Sequence, residues 1–203
     1  MGLISDGTTV FDAGVMASGF GSSMVFIKKL TASSSATLSF VNGASGVVLD
    51  NTYKEYIFTF NNMHPASNDV VWRGNFSIDG GSNYNVAKTT TYFYAAHDEA
   101  DSTTAVSYRA DDDVHGTGDY GMAYSTGNGN DESVSGYMHL FDPSSTTFVK
   151  HFTARLNNYV ASNYTLDHHI AGYVNSTSAV NAAIFKFSSG NIDAGDICLY
   201  GIR

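Results

Sequence analysis

Glu55-Tyr-Ile-Phe-Thr-Phe-Asn61 sets Tyr56, Phe58 and Phe60 on one side of the chain and Glu55, Thr59 and Asn61 on the other. Side chains alternate between faces along an extended strand, so this two-residue period reads as a strand with one buried face. The pattern recurs outward from it. Val70, Trp72, Phe76 and Ile78 share a face, with Gly74 as the gap between them. Val134, Met138 and Leu140 alternate with Ser135, Tyr137 and His139, and Phe148, Phe152 and Leu156 oppose Val149, His151, Thr153 and Arg155. Phe185 and Phe187 are split by Lys186, and Ile197, Leu199 and Tyr200 make a last strand in which Cys198 is expected to be a small buried residue. Further strands are expected near 24–30, 36–42, 86–95, 104–109 and 166–174.

Turn residues punctuate these runs: Asp79-Gly-Gly-Ser-Asn83, Gly127-Asn-Gly-Asn-Asp131, Asp142-Pro-Ser-Ser145 and Ser188-Ser-Gly-Asn191. Ala95–Ala100 is expected to hold one short helical turn; elsewhere the 3.6-residue period is absent. Short strands at this spacing predict an all-β chain, a single jelly-roll-like β-sandwich over 24–203. Residues 1–23 differ. They hold five glycines among Val10, Phe11, Val15, Met16 and Phe20 without firm periodicity. This stretch is expected to be an irregular N-terminal arm, too apolar to stay solvated, that docks through those five side chains.

Charge is sparse, 14% against a usual value of about 25%. The polar surface must then come from Ser, Thr, Asn and Gly, which suits protein–protein contact better than an isolated charge-solubilised monomer. The net charge of −9 and 10 scattered basic residues point away from nucleic acid and from anionic membrane. No stretch approaches the ~18 consecutive apolar residues of a membrane helix, so membrane insertion is not expected. The start, Met1-Gly-Leu-Ile-Ser-Asp6, does not read as a targeting segment. One cysteine excludes an internal disulfide and a cysteine-rich zinc site.

Few constellations suggest chemistry. Asp111-Asp-Asp113 is the densest charge run. Measured as a calcium loop from Asp111, it places Gly116 at the sixth position but Met122 where a glutamate belongs. A looser calcium site of Asp111, Asp113 and Asp119 is the one metal candidate, and no other cofactor is expected. The loop Asn128–Glu132 carries a second acidic pair, Asp131 and Glu132. His168 and His169 are adjacent and so point to opposite faces of a strand. His97-Asp-Glu99 with Asp101 reads as a solvated loop. No Gly-x-Ser-x-Gly elbow, phosphate loop or dinucleotide fingerprint occurs, and no catalytic residue is assigned. Tyr84, Tyr92, Tyr94, Tyr120, Tyr124 and Tyr159 exceed what a core would hold, so some should serve a subunit interface or a sugar-binding surface.

Several stretches resemble a family of small virion-associated structural proteins of marine tailed phages, cyanophages in particular. They are Leu30-Thr-Ala-Ser-Ser-Ser-Ala-Thr-Leu-Ser-Phe40, Tyr53-Lys-Glu-Tyr-Ile-Phe-Thr-Phe-Asn-Asn-Met-His-Pro65 and Ala96-His-Asp-Glu-Ala-Asp101. His139-Leu-Phe-Asp-Pro-Ser-Ser-Thr-Thr-Phe-Val-Lys-His-Phe152 and Ser188-Ser-Gly-Asn-Ile-Asp-Ala-Gly195, running into Leu199-Tyr-Gly-Ile202, complete the resemblance, which spans about residues 30–203. It implies a non-enzymatic virion protein: a tail fibre, knob or other surface-appendage subunit acting in assembly and host attachment. The alternatives are a head decoration protein or a glycan-binding, less readily glycan-cleaving, β-sandwich module. The implied partners are further copies of the chain, taken as a trimer, other virion proteins, and a host surface glycan.

Overall fold

A computed structural model describes residues 3–12, 15–16 and 23–203, with side chains described at 3–8 and 23–203. The described residues contain strands and turns and no helix. Three short strands lie in the N-terminal stretch: β1 (Leu3–Ser5), β2 (Thr8–Asp12) and β3 (Val15–Met16). Then follow β4 (Met24–Thr31), β5 (Leu38–Val41), β6 (Glu55–Pro65), β7 (Val70–Ser77), β8 (Lys88–Asp98), β9 (Thr104–Tyr108) and β10 (His115–Gly116). The chain ends with β11 (Tyr120–Thr126), β12 (Val134–Phe141), β13 (Lys150–Val160), β14 (Tyr164–Val174), β15 (Ala182–Phe187) and β16 (Ile192–Ile202).

Strands β4 to β16 form one antiparallel sheet of 13 strands with two limbs. The longer limb runs β4-β16-β6-β12-β13-β14-β8, with β9 and β10 both paired to β8. The shorter limb runs β11-β7-β15-β5. The limbs join where Thr126 of β11 pairs with Val160 of β13, and the sheet turns over on itself into a nearly barrel-shaped body. Its core is aromatic. Phe58 and Phe60 of the longer limb meet Phe185 of the shorter at 5.3 and 5.0 Å between ring centroids. Phe152 meets Phe76 across the same space at 5.2 Å. All five rings are essentially inaccessible to water. Burying each contributes roughly 1.5–3 kcal/mol, the main force holding the limbs together.

The β6 alternation therefore does what its sequence requires: Tyr56, Phe58 and Phe60 are buried while Asn61 is exposed. Three local expectations are corrected. Ala95–Asp98 continue β8 and Glu99-Ala100 form a turn, because pairing with β14 extends to Tyr164↔Asp98 and overrides the helical preference of the alanines. Phe148 precedes β13 and is 72% exposed, and Ile78 lies just past the end of β7 at 38%. Cys198 faces outward and is half-buried. The N-terminal stretch also holds more regular structure than an irregular arm. Ser5 pairs with Thr8 around Asp6-Gly7, both at positive φ (48° and 76°), the geometry of a tight two-residue hairpin turn. These three strands hydrogen-bond to one another and not to the large sheet.

Candidate functional site

The acidic residues do not converge. Asp111 is exposed beside Arg109 (3.4 Å), and Asp113 accepts a hydrogen bond from the Tyr108 hydroxyl (2.6 Å). Asp112 between them is buried, accepting from Arg109 Nε at 2.8 Å with Arg73 at 3.6 Å. Asp119 belongs to another cluster: Lys186 Nζ lies at 2.7 Å and Asn75 Nδ2 at 2.8 Å. Burial opposes ionisation of Asp119, yet those two donors outweigh it and hold its carboxyl below the usual range. In the second loop the Glu132 carboxylate turns back onto the Gly129 amide of that loop. Among the described residues no three His, Cys, Asp or Glu side chains form a metal-ligating group. The docking residues Val10, Phe11, Val15 and Met16 lie where side chains are not described, and Phe20 lies outside the described residues altogether.

Two other features stand out. The first is the outer face of the longer limb. Pairing sets Tyr108, Phe93, His169, Arg155 and Tyr137 in one row across five strands. Phe93 lies flat on the His169 ring, centroids 4.8 Å apart and planes 4° from parallel. One step along, His139 contacts both Tyr137 and Phe141 and pairs with Glu55. Phe93, Tyr108, Tyr137 and Phe141 are all exposed, as are Val106 and Phe26. The charges on the row are already engaged: Arg155 holds Asp167 through two bonds of 3.0 and 2.8 Å. Water thus meets a broad sheet surface of rings and hydroxyls with little free charge.

The second feature is a buried polar chain beneath the opposite face. His168 is fully inaccessible, and burial pushes its imidazole down to about 3, so it is neutral. Its Nδ1 accepts from the Tyr92 hydroxyl (2.7 Å), and its Nε2 donates to Asn158 Oδ1 (2.9 Å); the network of neighbours assigns this tautomer. Asn158 Nδ2 donates to the Tyr124 carbonyl (2.8 Å) and Thr126 Oγ1 (3.0 Å), while the Tyr124 amide donates to the Tyr92 hydroxyl (3.2 Å). Both backbone groups of Tyr124 are therefore held by one buried network, at the point where β11 bulges between Ala123 and Thr126.

Of the tyrosines expected at the surface, Tyr92 and Tyr120 are core and Tyr94 and Tyr124 pack partly against it. The exposed rings on the outer row and beside it are instead Phe93, Tyr108, Tyr137 and Phe141, which the outward phase of the same alternation would have marked. No protein-family model, curated protein or solved structure matches the chain.

Proposed function

We propose that the chain is a structural subunit of a bacteriophage particle, a tail fibre, knob or other surface appendage, that assembles with its own copies and contributes to host attachment. The observation that carries this reading is the outer face of the longer limb. Aromatic residues are enriched and lysine is depleted where proteins bury surface on one another. A row of Tyr108, Phe93, His169, Arg155 and Tyr137, with its charges already neutralised, has that composition. The reading takes the two limbs as a jelly-roll-like sandwich and the assembly as a trimer. It assigns the body an architectural role and no catalysis.

Sedimentation equilibrium tests the assembly. The full chain is expected to associate at micromolar concentration. Phe93→Lys with Tyr137→Lys should sediment as a monomer with an unchanged melting temperature, since both positions are exposed. A parent chain that is monomeric under those conditions ends the assembly reading. Imaging of particles carrying the labelled chain tests the virion assignment and separates tail from head.

A further inference from the structure

The β8–β9–β14 end of the longer limb has a second, inward face. There Tyr94, Tyr124 and Tyr164 border an open cavity of about 250 Å³, rimmed by the hydroxyls of Thr103, Ser125 and Ser162. No charged side chain lines it. We propose that this pocket binds one neutral pyranose ring of a surface glycan.

The chemistry of the lining selects that ligand. A pyranose presents an apolar C–H face and a rim of hydroxyls, so it needs flat aromatic carbon and uncharged groups that both donate and accept. Three tyrosines and three aliphatic hydroxyls supply both. A purely apolar ligand would take water from the Thr103 and Ser162 hydroxyls without replacing its hydrogen bonds, and an anionic sugar would find no cation among the lining residues. The volume suits a single ring and excludes a folded peptide.

The pocket is also built in advance. Tyr124 meets Tyr94 edge-on at 4.9 Å between centroids, and the Arg109 guanidinium packs over its ring at 4.3 Å. Its backbone is fixed by the Tyr92–His168–Asn158 chain. Ser125 beside it occupies the left-handed region (φ +58°) and is not a glycine, with its hydroxyl on Asp69 at 2.6 Å. Surrounding structure holds Ser125 in that conformation, and a lining fixed before the ligand arrives has less ordering left to undergo on binding.

The inference deepens the attachment half of the proposed function and uses a surface separate from the assembly row. Saturation-transfer NMR on the full chain tests it, with the methyl glycosides of glucose, galactose, mannose and N-acetylglucosamine, and glucuronic acid as the charged control. At least one neutral glycoside should receive saturation, and glucuronic acid none. Ala105→Trp fills the cavity without removing a partner, and Tyr164→Ala removes one ring. Each should weaken binding by about tenfold or more at unchanged melting temperature. If Tyr164→Ala fails to fold, the filled variant decides alone. Silence from every neutral glycoside, undiminished binding in Ala105→Trp, or preference for glucuronic acid overturns the proposal. Sedimentation of Ala105→Trp should match the parent, so loss of sugar binding and loss of assembly are separately readable.

Discussion

The Tyr92 hydroxyl lies 2.7 Å from Nδ1 of His168, although the two residues stand 76 positions apart in the chain. The histidine has no carboxylate within this hydrogen-bonded network, and burial holds it neutral down to about pH 3. In the unfolded chain it protonates near pH 6.5. Between those values the unfolded state binds the extra proton, so stability is full above pH 6.5 and falls as the solution is acidified. The loss should approach about 2 kcal/mol between pH 7 and pH 5. Urea unfolding at the two pH values measures it. His168→Gln should be less stable at neutral pH yet lack this histidine's share of the acid slope.

Removing the hydroxyl tests the network directly. Tyr92→Phe strands the His168 Nδ1 acceptor and the Tyr124 amide in a buried site. Each orphan costs about 1–3 kcal/mol, so the variant should lose roughly 3 kcal/mol in urea midpoint analysis. A loss below about 1 kcal/mol would mean that the ring packing alone sustains the site.

The strands were legible in proportion to their regularity. β13 and the first half of β6 announce themselves because one face of each is buried, which forces a strict alternation; in β6 it holds from Glu55 to Phe60 and shifts phase at Asn61-Asn62. β11 was not foreseen. Gly121 interrupts its pattern, and the bulge before Thr126 shifts the phase, so no two-residue period survives in Tyr120–Thr126. β10 is two residues long and exists only by pairing with β8. The sites were less legible for a related reason. Tyr92 and Tyr94 face inward while Phe93 faces outward, a phase set by pairing with β14 and by nothing local. The surroundings of the acidic run were not legible, because its partners, Arg73, Tyr108 and Arg109, are supplied by pairing and turns.

Gly136 marks a backbone constraint at the centre of the longer limb. It sits at φ +155°, and a Cβ built there would approach the Arg155 carbonyl oxygen at 2.3 Å and the Leu156 Cα at 2.6 Å. Both obstacles are backbone of the adjoining β13, so the ladder itself must shift to admit even a methyl group. Gly136→Ala should therefore destabilise by about 3 kcal/mol, at the upper end for overpacking, with loss of hydrogen-exchange protection along β12 and β13. Gly118→Ala, whose Cβ would meet nothing within 4 Å, is the matched control and should leave both unchanged.

The N-terminal stretch offers the last test. Its three strands pair among themselves and make no ladder with the large sheet, while Leu3 and Ile4 stand 64% and 61% exposed. A hairpin of this size is at best marginally stable alone and needs a hydrophobic partner. The 13-stranded sheet, by contrast, draws none of its strand pairs from residues 1–23. Deleting 1–23 should thus leave the melting temperature of the remaining chain within about 2 °C of the parent, a shift smaller than roughly 1 kcal/mol produces in a domain of this length. Association is expected to weaken, because Leu3 and Ile4 would contribute on the order of 2 kcal/mol each if buried on a neighbouring copy, before ordering costs. Sedimentation and thermal unfolding of the two chains separate the cases. Lower oligomer mass at constant melting temperature supports a docking arm; a large fall in melting temperature with assembly intact would mean that the stretch stabilises its own body instead.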